Sequence, residues 1–203
     1  MSPELLNIIN PSTGELIKTL SCDSQYEVDN KIFISTQLHD KYSSGLSKVK
    51  RISILESLVK QMLSNQHELA ELIATEGGKP FKDAIVEVNR AAFSVKQAIA
   101  YLLTNASPST PLNNYSEDVH YKMQTSSEPI GVVVAISAFN HPLNLVTHQI
   151  VSAFAAGCPC IIKPAVETPL SCLKLIEMLK NANMPVGWVQ SVITNNIQLA
   201  EQL

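Results

Sequence analysis

Residues 129–169 read PIGVVVAISAFNHPLNLVTHQIVSAFAAGCPCIIKPAVETP, and this stretch decides the fold of the 203-residue chain. Residues 131–138 form a continuous apolar run, the pattern of a strand buried on both faces. Residues 143–156 read as a helix and 160–163 as a second apolar strand. Farther on, 169–183 reads as a helix closed by Met184-Pro185-Val186-Gly187, and 189–193 as a third strand. That order is β-α-β-α-β, the unit of a doubly wound parallel sheet. In such sheets ligands sit outside the carboxyl ends of the strands. Asn140 ends the first strand and Lys163 the second, so an amide and an ammonium are the candidate ligand contacts.

Outward from the sheet, Asn10-Pro11-Ser12-Thr13-Gly14 predicts a turn between extended segments at 6–9 and around Leu16, Ile17 and Leu20. A helix is expected over 24–38. A second is expected over 49–63, where Ile52, Leu55, Val59 and Met62 recur on one face. A third begins near Asn65, with Glu68 placed for a capping box, and stops at Gly77-Gly78. Pro80 opens the longest helix, striped by Phe81, Ala84, Val88, Ala92, Val95, Ile99 and Leu102. Residues 104–117, rich in Asn, Ser, Pro and Thr, read as a loop. Val119, Tyr121 and Met123 alternate as in a half-exposed strand.

Composition sets the class. Apolar residues make up 45% of the chain and charged residues 16%, which is globular rather than disordered. The net charge of −3 gives no reason to expect nucleic acid or an anionic membrane as partner. Met1-Ser2-Pro3-Glu4 is not a secretory start, and no apolar run approaches bilayer length, so a cytoplasmic chain is expected. Cys22, Cys158, Cys160 and Cys172 show no disulfide framework. Cys158-Pro159-Cys160 lacks metal-ligand spacing and reads as two small side chains entering a buried strand, and no metal site is expected. His120, His141 and His148 show no triad spacing with a serine and an acid and read as surface or supporting residues.

The glycine-rich G-x-G-x-x-G turn of the usual dinucleotide fold is missing, since Phe139-Asn140-His141-Pro142 stands at the first strand-to-helix turn. The motifs that are present carry a different likeness. Pro129-x-Gly131-Val132-Val133, Phe139-Asn140-x-Pro142-Leu143, Ala155-Ala156-Gly157 and Ile161-Ile162-Lys163-Pro164 with Thr168-Pro169 resemble the amino-terminal half of the NAD(P)-dependent aldehyde dehydrogenase superfamily. Asn10-Pro11-x-Thr13-Gly14-Glu15 resembles its opening segment and Glu76-Gly77-Gly78-Lys79-Pro80 its second landmark. The resemblance implies an α/β fold, with a partial doubly wound cofactor-binding sheet, an amino-terminal helical layer and a β arm. It also implies one incomplete cofactor-binding domain over 1–203, with 107–128 as loop and oligomerisation arm, and homo-oligomers formed through 119–127. An ordinary edge strand is the alternative there.

Residue by residue, Asn140 matches the family asparagine whose side-chain NH₂ donates to the developing oxyanion, and a turn-forming asparagine is the other reading. Lys163 matches the lysine that contacts the adenosine ribose, against simple solvent exposure before Pro164. Ile136, Ser137, Ala138 and Phe139 match the strand end that lies along the cofactor. NAD-preferring members often carry a glutamate three residues after the lysine. Here that position is Val166, with Glu167 one later, so the cofactor reads as NAD or NADP.

The resembled mechanism uses a cysteine thiolate, a general-base glutamate and a glycine-rich turn, all downstream of the matched region. Residues 195–203 read as a helix start without a glycine cap, and the sheet keeps an unpaired apolar edge. Three functions are therefore weighed. The first is the amino-terminal portion of a dehydrogenase oxidising a small-molecule aldehyde to an acid, inactive alone. The others are a non-catalytic nucleotide-binding or dimerisation module and an acyl-CoA or acyl-phosphate reductase branch. The segment 139–145 hints at small polar aldehydes such as lactaldehyde or phosphonoacetaldehyde.

Overall fold

The amino-terminal turn closes as its residues require. In the computed structural model, which describes residues 4–42, 45–104, 109–111 and 122–203, strand β1 (Leu5–Ile9) pairs antiparallel with β2 (Leu16–Ser21). The Asn10 carbonyl accepts from Gly14 N at 2.8 Å, and Gly14 takes φ 75°, a left-handed conformation that costs glycine little.

Four helices follow: α1 (Gln25–Lys41), α2 (Lys48–Ser64), α3 (Gln66–Gly77) and α4 (Phe81–Thr104). The capping box expected at Asn65 does not form, because Asn65 has no side-chain cap bond and its Nδ2 instead donates back to Gln61 O at 2.8 Å. The box sits at Ser24. Its Oγ accepts from Glu27 N at 3.3 Å while Glu27 Oε2 accepts from Ser24 N at 2.7 Å. Ala84, Val88, Ala92, Val95 and Leu102 of α4 are buried as the stripe predicts. Phe81, at the first turn, is largely exposed and packs beside His67.

Residues 104–117 are not loop throughout. Strand β3 (Ser109–Pro111) pairs antiparallel with β4 (Lys122–Gln124), Thr110 opposite Met123. Val119, His120 and Tyr121 lie outside the described residues, as does most of the expected arm at 107–128.

The parallel sheet has the order β5 (Val133–Ile136), β6 (Cys160–Lys163), β7 (Val189–Ser191), with α5 (Pro142–Ala156) and α6 (Leu170–Asn181) as crossovers and a short α7 (Ile197–Ala200) beyond. Central β6 is buried on both faces: Cys160 and Ile162 join the main core, while Ile161 packs with Val28 of α1. First strand β5 departs from the expectation of two buried faces. Val134, paired in register with Ile161, is 38% exposed and Ile136 is 62% exposed. An edge strand has a neighbour on one side only, and among the described residues nothing covers this face of β5. The main core lies where α2, α3 and α4 meet α5, α6 and the other face of the sheet.

Candidate functional site

Two loops leave the carboxyl ends of β5 and β6 side by side. Ser137 N donates to Lys163 O at 3.0 Å, and Thr168 Oγ1 donates to Phe139 O at 3.4 Å, which ties the loops together. The structure brings Ile136, Ser137, Ala138, Phe139, Asn140 and Lys163 to this one edge. Ile136, Ala138, Phe139 and Asn140 are exposed, and Ser137 is buried with an unpartnered Oγ. Lys163 is half-buried, its Nζ reaching Pro164 O at 3.4 Å. Val166 is half-buried and packs against the small cluster of Leu6, Ile8, Leu170 and Ile193. Glu167, next in the chain, is exposed.

Asn140 opens onto a cleft of about 580 Å³ lined also by Lys79, Glu87, Arg90, Phe139 and His141. Among the described residues neither the Asn140 amide nor the Arg90 guanidinium has a hydrogen-bond partner, so both are free to meet a ligand. A larger concavity, about 780 Å³, lies among α2, α4, α5 and residues 125–129 and contains none of the expected site residues.

Beneath Asn140 is a polar network that sequence reading missed. Glu87 of α4 is 1% exposed; its Oε2 pairs with Lys79 Nζ and approaches His141 Nδ1 at 3.3 Å, and Lys79 Nζ stands 3.0 Å from the same ring nitrogen. Its Oε1 accepts from Leu143 N at 3.0 Å and Asn144 N at 3.1 Å, the first turn of α5. Glu76, at the end of α3, accepts from Leu170 N at 2.7 Å, Ser171 N at 2.9 Å and Ser171 Oγ, the first turn of α6. Burial pushes the Glu76 carboxyl above its ordinary range, outweighing these hydrogen bonds. One signal was available in the sequence: Glu87 falls on the apolar face of its helix, between Ala84 and Val88, where an unpaired carboxylate is costly.

The thiols are of another kind. All four are buried and free, and desolvation pushes Cys160 up to about 12 and Cys172 up as well. A thiol of that kind supplies almost no thiolate near neutral pH.

Lys163 ends β6 as the sequence reading expects, but β5 stops at Ile136, so the uncommitted Asn140 amide lies in the loop between β5 and α5 and does not end the strand. The aldehyde dehydrogenase family model matches residues 1–203. The chain is 34% identical over 188 residues to the lactaldehyde dehydrogenase of Methanocaldococcus jannaschii, covering 91% of this chain and 39% of that protein. It is 31% identical over 200 residues to the 3-sulfolactaldehyde dehydrogenase of Priestia aryabhattai, covering 98% of this chain and 41% of the relative. The crystal structure of glyceraldehyde-3-phosphate dehydrogenase GapN from Methanocaldococcus jannaschii, complexed with NADP, superposes with a TM-score of 0.86 at 32% identity, over 95% of this chain and 42% of that one. The chain thus spans about two fifths of the length of these relatives. With a family match over residues 1–203 and a fold shared with these relatives, the chain belongs to the aldehyde dehydrogenase family.

Proposed function

We propose that this chain supplies the cofactor-binding edge and the oxyanion donor of an NAD(P)-dependent aldehyde dehydrogenase acting on a small polar aldehyde. The observation that carries the reading is the uncommitted Asn140 amide in the loop between β5 and α5, opening onto the cleft beside Lys79, Arg90 and His141. The residues at the strand ends fit a dinucleotide. Ser137 Oγ is buried without a partner, Lys163 Nζ has no carboxylate partner among the described residues, and Ile136 and Phe139 offer uncovered apolar surface. NAD or NADP, when bound, accepts the hydride from the oxidised carbon.

The chain's own residues would act as follows. Lys163 Nζ and Ser137 Oγ hold ribose-type hydroxyls, and Ile136 and Phe139 shield the bound group from water. Val166 is committed to packing, so Glu167 is the exposed carboxylate after Lys163 that would meet the ribose and bear on the choice between NAD and NADP. Asn140 Nδ2 donates to the aldehyde oxygen as negative charge develops on it, a contribution that strengthens only in the transition state. Arg90, exposed at the cleft and without a partner among the described residues, suits an acidic group on the substrate. The names of the relatives, lactaldehyde, 3-sulfolactaldehyde and glyceraldehyde-3-phosphate dehydrogenases, are consistent with a small oxygen-rich aldehyde.

The test is titration of the 203-residue chain with NAD⁺ and NADP⁺, followed by calorimetry, beside Lys163→Ala and Glu167→Gln. Binding of either nucleotide that weakens in Lys163→Ala supports the reading; binding of neither overturns it. Glu167→Gln is expected to shift preference toward NADP⁺, since a carboxylate near the ribose repels a 2′-phosphate. With its four thiols buried, the chain by itself is expected to form no NAD(P)H from aldehyde. Joined to a segment bearing a reactive thiol, Asn140→Ala is expected to lower kcat by roughly 10²–10³-fold with a smaller change in KM.

A further inference from the structure

Helices α5 and α6 both begin with no capping side chain of their own. His141 and Pro169, at their cap positions, make no side-chain cap bond. First-turn N–H groups left in a protein interior need acceptors, and the positive end of the helix dipole favours an anion there. Both helices find that acceptor in the same place, the hairpin formed by α3 and α4. Glu87 receives Leu143 N and Asn144 N, and Glu76 receives Leu170 N, Ser171 N and Ser171 Oγ. The two carboxylates, Glu87 and Glu76, are 1% and 2% exposed, so neither can exchange its partners for water.

The joint between the two supporting helices is itself constrained. Gly78, at φ 64°, ends α3, and a Cβ there would stand 2.9 Å from Pro11 Cγ. Glu76 and Glu87 flank this joint, and each bonds to the helix start that follows one loop of the sheet edge. Lys79, which directly follows Gly78, closes the network by pairing with Glu87 Oε2 beside His141.

We propose that Glu87 and Glu76 are paired positioning residues, Glu87 fixing the loop that carries Asn140 and Glu76 the loop that follows Lys163, so that one helical hairpin sets the spacing between them. This rests on the reading of Asn140 and Lys163 as ligand contacts. Neither carboxylate touches the ligand; each acts through the first turn of the helix that its loop enters. Loss of one cap therefore loosens one loop, whereas a general contribution to stability would loosen both.

The experiment is hydrogen exchange read peptide by peptide on the 203-residue chain, with NADP⁺ and NAD⁺ affinities measured on the same samples. Glu87→Ala is expected to speed exchange over residues 137–145 more than over 163–172, and Glu76→Ala the reverse. Because both loops carry proposed cofactor contacts, Glu87→Ala and Glu76→Ala are each expected to weaken nucleotide binding by about tenfold, as when only about one molecule in ten holds the competent loop. Glu76→Gln and Glu87→Gln, which keep an acceptor oxygen, are expected to recover most of the protection and serve where an alanine variant does not fold. Loops that open together in every folded variant, or that do not open at all, overturn the proposal. If the unsubstituted chain binds neither nucleotide, the functional reading fails, and the exchange pattern alone decides the positioning role.

Discussion

Glu76 shows how a single buried carboxylate couples this fold to pH. Its pKa in the folded chain is raised above the ordinary 4.5 because burial disfavours the anion. Between those two values the folded state holds a proton that the unfolded state has released, so stability falls as pH rises across that window. Glu76→Gln removes this dependence. Thermal unfolding followed from pH 4.5 toward neutrality is expected to show a smaller decline in Tm for the variant than for the unsubstituted chain, and parallel curves would contradict the assignment. At the same scale, the residues of the two loops at the sheet edge divide by what surrounds them. Asn140 is left uncommitted, whereas Val166, three residues after Lys163, is held by packing.

Among the elements, α1 starts on local chemistry that a substitution can isolate. The Ser24 and Glu27 capping box begins it, and Ser24→Ala is expected to cost about 1 kcal/mol in a urea titration. Asn65→Ala, at a helix start without a side-chain cap bond, is expected to cost less. Helix α1 also meets Gly187, whose φ of 82° and lack of a side chain let the backbone approach. A Cβ there would lie 2.8 Å from Ile34 Cγ2. Gly187→Ala is therefore expected to destabilise the chain by about 1–3 kcal/mol through strain and crowding together. Strand β5 is the converse case, an element whose apolar composition does not bring burial because it stands at the sheet edge.

At the scale of the whole molecule, one continuous core joins the helical layer to the sheet, and Trp188 stands within it, fully buried between Tyr42 and Phe154. Because the layers share that core, Trp188 fluorescence and far-ultraviolet circular dichroism are expected to report one coincident unfolding transition in urea; two separated transitions would show that the layers unfold independently. The sequence by itself determined the alternation of strands and helices from residue 131 onward, the hairpin at Asn10 to Gly14, the α4 stripe and the place of Lys163 at the end of its strand. These follow from periodicity, turn chemistry and motif, which are local along the chain. Only the tertiary structure decided that β5 is half exposed, that Val166 faces a core, and that Glu76 and Glu87 cap helices 94 and 56 residues away in sequence. The physical reason is that burial and hydrogen-bond partnership belong to pairs of distant segments, and a buried carboxylate is tolerated only where the fold brings donors to it.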